Sequence, residues 1–254
     1  MRTRNTALAL AAGAALLVPA PMSASAFPQR SEANGNSAQV PLSSPPRPEA
    51  SRASRASGEG SVSAAALLAK AAGPCKQVSR GKYRTDDGAA ENIPVCAKRG
   101  AVLWTADMDI DCDGRPSTAC NRRTDPLFQN TTAFQESNGR QLSSEYLPYI
   151  VVPGASSRWN HTRHGITGGS VAAVIHRGKV LYAVVGDTGP TDLIGEASYA
   201  AAKSLGISPD PRTGGTGAGV TYIVFDGPKA SPIENHRAAV TRGDALARQF
   251  LSRN

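Results

Sequence analysis

Apolar residues recur with a two-residue period, or in short β-branched runs, along most of the second half of the chain. The densest pattern spans 170–206, SVAAVIHRGKVLYAVVGDTGPTDLIGEASYAAAKSLG. Two apolar runs flank His176-Arg177-Gly178-Lys179, which predicts a hairpin, and the Ala-rich run after a short loop predicts a helix over 196–205. Further strands are predicted at 101–106, at 147–153 between prolines, and at 220–225, where Asp226-Gly227 closes the run. A short helix is predicted at 63–72, capped by Ser63 and stopped by Gly73-Pro74. Another is predicted at 241–251, with Thr241 as cap, Asp244 at the third position and Ala245, Leu246 and Phe250 as its apolar stripe. Short strands outweigh helices, so the expected fold class is α+β, with a mostly antiparallel sheet open to barrel-like curling and a few short helices.

The N-terminal third has no such period. Residues 1–26 carry a basic start at Arg2 and Arg4, an apolar core at 7–18 and the small-residue run Ala24-Ser25-Ala26, the signature of a secretory signal peptide. Its apolar core is too short to span a bilayer, and no later segment approaches eighteen consecutive apolar residues. The expectation is a secreted, extracellular protein with no membrane partner. Residues 27–60 are rich in Pro, Ser and Arg and nearly free of large apolar side chains, so they read as a disordered linker. The remaining 61–254 fits one catalytic domain.

The formal charge is +8, with a pI near 9.6. The four cysteines, Cys75, Cys96, Cys112 and Cys120, suit an oxidising compartment. Three connectivities are open, and sequential pairing closes the shortest loops. Their spacing lacks the close pairs of a structural zinc site. His161 and His164 have no neighbouring acid and read as loop histidines rather than ligands, and Phe128 and Phe134 read as core. No metal and no cofactor is expected.

Two carboxylates carry the candidate chemistry. Asp187 follows an apolar strand in Gly186-Asp187-Thr188-Gly189, and Glu196 follows Gly195 where the helix is predicted to begin. An acid at a strand exit and another at a helix entrance can face one cleft, as glycoside hydrolysis requires. A second acidic feature is the row Asp107, Asp109, Asp111 and Asp113 at alternate positions. On a continued strand all four would share one face and call for cations beside them. Three readings stay open: a calcium loop, since D-x-D-x-D-G from Asp109 to Gly114 opens an EF-hand pattern whose closing glutamate is here Cys120; a site for a cationic substrate or neighbouring basic side chains; and a solvated acidic loop.

The blocks ADMDIDCDG at 106–114, LPYIV at 147–151, the run from Val171 through VGDTG to GEAS, and VTYIVF at 220–225 occur together and in order. In this combination the chain resembles the fungal-type chitosanases of glycoside hydrolase family 75. The resemblance implies endo-hydrolysis of β-1,4 links in partly deacetylated chitosan by an inverting mechanism, and it places the family's essential Asp on Asp187 and its essential Glu on Glu196. The segment between those motifs is shorter here than in fungal members. Glu196 is the expected acid, given its higher reference pKa and longer reach, and Asp187 the base, although a helix N-terminus under Glu196 would favour the opposite. Asp107, Asp109, Asp111 and Asp113 are the candidate substrate-binding residues for glucosamine ammonium groups, answering the awkward positive net charge locally. A monomer acting on chitosan, with no nucleic-acid partner, is expected. The alternatives are a secreted calcium-stabilised cell-wall binding module without catalysis, or a secreted nuclease suited to the basic pI.

Overall fold

The computed structural model describes residues 57–254. The expected signal segment and the linker up to residue 56 lie outside the described residues. The described chain starts with β1 (Ser57–Gly58), whose parallel pairing with Lys179 and Val180 sets it ahead of the domain start expected at residue 61. It continues with α1 (Ala64–Ala72), β2 (Lys76–Gln77), β3 (Cys96–Lys98), β4 (Ala101–Asp111), β5 (Tyr149–Pro153), β6 (Val171–His176), β7 (Lys179–Gly189), β8 (Glu196–Ser198), α2 (Tyr199–Leu205), β9 (Thr216–Phe225) and α3 (His236–Arg253).

Six strands close on themselves in the order β4-β8-β5-β7-β6-β9, and β9 returns to β4. The β4–β8 and β5–β7 ladders are parallel and the other barrel ladders antiparallel, so the α+β, barrel-like expectation holds. The β6–β7 hairpin turns at Arg177 and Gly178, with φ of 45° and 79°. Both positive values belong to the tight primed turn whose twist matches the strands it joins.

Alternation along each strand builds two cores. Val102, Trp104, Ala106, Met108 and Ile110 of β4 point into the barrel with Ile150, Val174, Leu181, Val185, Ala197 and Tyr222. Inside, Trp104 stacks on Tyr222 at 5.3 Å between ring centroids. The outward residues Leu103, Tyr182, Val184, Ile223 and Phe225 form a second core under α1 and α3, closed by Leu67, Leu246, Ala247 and Phe250. Burying one such side chain is worth about 1.5–3 kcal/mol.

The helices differ from expectation in their starts. α1 is capped by Ser63 as predicted, its hydroxyl accepting from the Ala66 amide. α3 begins five residues early, because Asn235 rather than Thr241 caps it, accepting from Ala238 N. Asp244, read as a capping residue, instead accepts from Ser61 N at 2.7 Å and pins the N-terminal segment to the helix. The helix predicted from residue 196 starts at Tyr199, since 196–198 are taken up by pairing with β4 and Ser198 supplies the cap. Both disulfides follow the sequential pairing, Cys75–Cys96 and Cys112–Cys120.

Candidate active site

On the outer face of the barrel, beyond the end that the helices cover, four strands lay a row of side chains side by side. β7 contributes Asp187, which is paired with Val151 of β5. β5 is antiparallel to β8 in a register that pairs Ile150 with Ala197 and so sets Val151 beside Glu196. Glu196 is in turn the direct partner of Asp109 on β4. The row across the sheet is Asp187, Val151, Glu196, Asp109. Adjacent strands lie about 4.8 Å apart, so two spacings separate the backbones of Asp187 and Glu196 and one separates Glu196 from Asp109.

Asp187 reaches this face through an irregularity. Leu181, Ala183 and Val185 point into the barrel, and strict alternation would turn Asp187 inward as well. Instead Ile150 pairs with Val185 and the next residue, Val151, with Asp187, which leaves Gly186 as an extra residue. This one-residue bulge flips Asp187 outward. Only glycine fits there, for a Cβ at position 186 would sit 2.6 Å from Tyr149 Cβ. Asp187 is thus inside β7 rather than at a strand exit, and only 8% exposed. Its Oδ1 accepts from the amides of Ala133 and Thr188, each at 2.7 Å.

Glu196 also departs from expectation, standing in β8 and not in the first turn of a helix. The helix-dipole argument about its charge therefore falls away. Gly195 before it has φ of 116°, and a Cβ there would lie 1.9 Å from Asp107 Oδ1. Its own Oε2 extends over Val151 towards Gly189 of β7, so the side chain leans to the Asp187 side of the cleft.

The aspartate row splits. Asp107, Asp109 and Asp111 lie on β4 and share its outer face, while Asp113 is just past the strand end. Carboxylate oxygens of Asp107 and Asp109 meet one of Asp86 within 4.8 Å, and those of Asp111 and Asp113 meet one of Asp187 within the same distance. Because the chain is extended through Asp111, Asp109 is not gathered with Asp111 and Asp113 around one point, so an EF-hand loop is not formed. Asp113 is braced at Oδ1 by the Gln129 amide at 2.7 Å. Asp107 is 3% exposed, and its Oδ1 has no hydrogen-bond partner among the described residues. Burial, with Asp109 and Asp86 adding their charge, pushes its carboxyl up to about 8.

The cleft over this row has a volume of about 380 Å³ and is lined by the carboxylates of Asp86, Asp87, Asp109, Asp111, Asp113, Asp187 and Glu196. Among the described residues no Lys, Arg or His lines it. Asp86 and Asp87 were not singled out by sequence. They arrive on the β2–β3 loop, and the one hint was a pair of acids in a Cys-bounded loop. The histidines stay outside, His161 spending Nδ1 on the Ile166 carbonyl at 2.8 Å. Phe128 is buried beside the Cys112–Cys120 disulfide rather than offered to a sugar.

A family model described as fungal chitosanase of glycosyl hydrolase group 75 matches residues 108–250, more than half of the chain and including both Asp187 and Glu196. The chain belongs to glycoside hydrolase family 75. Among curated relatives it is 32% identical over 179 residues to endo-chitosanase C of Aspergillus oryzae, covering 67% of this chain and 44% of that protein. It is 34% identical over 134 residues to endo-chitosanase B of the same species, covering 50% and 56%. Against an endo-chitosanase of Aspergillus fumigatus the figures are 30% over 143 residues, covering 51% and 60%. The chain thus spans about half the length of the curated relatives it matches. Asp86 and Asp107 fall outside the span of the family match.

Proposed function

We propose that this protein is a secreted endo-chitosanase that hydrolyses β-1,4 links of partly deacetylated chitosan with inversion. The observation that carries the reading is the charge of the cleft: among the described residues it is lined by seven carboxylates and no basic side chain, on a chain whose formal charge is +8. A polycation is the polymer such a groove would hold. A phosphate backbone would be repelled, which speaks against the nuclease alternative. The secretory signature and the two disulfides are consistent with an extracellular site of action.

Inversion needs one carboxylic acid on the leaving oxygen and one carboxylate on the opposite face to activate water, with room between them for that water. Asp187 suits the base. Two amide donors fix its Oδ1 in the cleft and leave Oδ2 to meet the water. Glu196 suits the acid, reaching over apolar Val151 with an aspartate as its neighbour. As Glu196 Oε–H protonates the glycosidic oxygen, the C1–O bond breaks. Water attacks C1 from the Asp187 side and gives Asp187 its proton, and solvent then restores both groups. Asp109, Asp111 and Asp113, with Asp86 and Asp87, would hold ammonium groups of the flanking glucosamine units. Asp107, being buried, would act from behind them rather than touch sugar.

The test is near-isosteric substitution. Asp187→Asn and Glu196→Gln should fold normally and lose on the order of 10²- to 10⁴-fold in kcat on chitosan. Azide should rescue Asp187→Asn, by standing in for the activated water. If both variants keep more than about a tenth of the wild-type kcat, a change under ~1.4 kcal/mol of barrier, the pair is structural and the reading fails.

A further inference from the structure

A second cavity, of about 500 Å³, opens apart from the acidic cleft and shares no lining residue with it. Its charge has the opposite sign. Arg80, Arg158, Arg163 and His164 line it, with Ser157 and Trp159, and among the described residues no Asp or Glu does. A smaller cavity of about 360 Å³ adjoins it through Arg163 and His164 and continues to Lys98 and Asp226, beside the first residues of β4.

Two backbone stretches bring these side chains together. Between β5 and β6 the chain makes a tight loop, in which the Ser156 amide donates to the Trp159 carbonyl at 2.9 Å and Ser156 Oγ accepts from the Arg158 amide at 3.1 Å. Asn160 then caps the 3-10 turn His161–His164, its side chain accepting from Thr162 N at 3.0 Å. The Arg80 amide donates to the Arg158 carbonyl at 2.7 Å, which fastens the loop after β2 to this one. The backbone thus holds Arg80 beside the 158–164 stretch in spite of their like charge.

The cations are unevenly spent. Arg158 is turned to Glu91 at 3.0 Å and to the Lys82 carbonyl, and so serves as wall. Arg80 and Arg163 are exposed, and neither has an ion-pair partner among the described residues. Trp159 is 3% exposed, its ring 6.3 Å from that of Trp104 and 6.2 Å from that of His164, and its indole N–H has no acceptor among the described residues. A buried donor without an acceptor is costly and gathered like charges repel, so both features call for an anion with several acceptor oxygens. Carboxylate and phosphate both fit the guanidinium fork, but a phosphate spreads its oxygens in three dimensions and can meet donors on more than one wall. The cavity is larger than one phosphate and is prolonged past Arg163, which suits a polymer. With Trp159 buried, no aromatic face among the lining residues is open for a nucleobase to stack on, so the polymer is one of phosphates without bases.

We propose that this cavity is an oxyanion site for the phosphate groups of a base-free anionic polymer met outside the cell, on which it seats the chain. Polycation and polyanion then have separate places on one molecule, and the formal charge of +8 gains a use that the acidic cleft does not give it. The site does not rest on the chitosanase reading, for a chain inactive on chitosan would still bind phosphate here.

The experiment is binding of inorganic phosphate and of linear polyphosphate to the full chain at fixed ionic strength, read by the fluorescence of its two tryptophans, Trp104 and Trp159. Wild type should bind polyphosphate at least about tenfold more tightly than inorganic phosphate, because neighbouring phosphates rebind. Arg80→Gln and Arg163→Gln should each weaken polyphosphate binding by about tenfold, with kcat and KM on chitosan unchanged. Arg242→Gln, at an exposed arginine of α3 outside the cavity, removes the same charge and should change binding little. An equal loss in all three variants would make binding a property of net charge and overturn the proposal. Inorganic phosphate bound as tightly as polyphosphate would assign a free anion to the site, and single-stranded DNA bound more tightly than polyphosphate would assign nucleic acid; either overturns the polymer proposed here. Melting curves separate misfolding from these outcomes, and since Arg80 and Arg163 lie on different loops, either variant alone carries the test.

Discussion

Asp107 is a carboxylic acid with almost no contact with solvent, and its proton has a thermodynamic consequence. Its folded value of about 8 stands above the usual 3.8, so between those limits the folded state binds a proton that the unfolded chain has released. Its contribution to stability is complete below about pH 4 and is lost as pH rises towards 8, at up to ~1.4 kcal/mol per unit. Asp107→Asn should therefore flatten the fall of Tm across that window, and an unchanged slope would refute this account. Asp187 and Glu196 stood out in the sequence as candidates because Asp187 follows an apolar run, Glu196 precedes the Ala-rich run, and both fall in blocks shared with family 75. What could not be read was that both lie within strands. Gly186 makes a bulge and Gly195 makes room for Asp107, contacts set by residues 37 or more positions from either glycine in the case of Tyr149 and further still for Asp107. Asp86 and Asp87 were missed for the same reason, since nothing local brings the β2–β3 loop over β4.

Among the elements, the bulge of β7 is the most sensitive. Gly186→Ala would set a methyl 2.6 Å from Tyr149 Cβ and 2.9 Å from Leu142 Cδ1. Relief requires movement of Tyr149 or of β7, so a loss of about 1–3 kcal/mol is expected, with a fall in kcat larger than that in Tm alone would suggest. A variant with normal kcat would show that the flip of Asp187 does not depend on this residue. The helix α3 was half legible. Its apolar stripe, Ala239, Gly243, Leu246, Ala247 and Phe250, repeats at helical spacing, but Gly243 reads as a breaker when Tyr182 packing against it is unseen. The T-x-x-D pattern then drew the start to Thr241, whereas Asp244 serves Ser61. Phe250, edge-on to Phe225 at 6.2 Å, closes the outer core. Phe250→Ala should cost about 3–5 kcal/mol by thermal melting, with kcat retained in the folded fraction.

At the scale of the whole molecule, the two disulfides brace the acidic rim from both ends of its sequence. Cys75–Cys96 closes the loop that carries Asp86 and Asp87, and Cys112–Cys120 begins where the aspartates of β4 end. Replacing Cys75 and Cys96 together by serine should lower stability by about 2–4 kcal/mol and raise KM for chitosan, as the loop acids lose their anchor. Unchanged KM would place Asp86 and Asp87 outside substrate contact. The barrel itself was only partly foreseen. Alternation revealed which residues face inward, but closure depends on β8, three residues long, bridging β4 and β5, too short to show a period.

The row Asp187, Val151, Glu196, Asp109 makes the sheet a ruler. Carboxyls one strand apart sit near the ~5–5.5 Å of enzymes that retain configuration, and carboxyls two strands apart near the ~6.5–9.5 Å of those that invert it. With β5 between them, Asp187 and Glu196 acting as the proposed base and acid should release the α-anomer first, and polarimetry of the fresh products checks this.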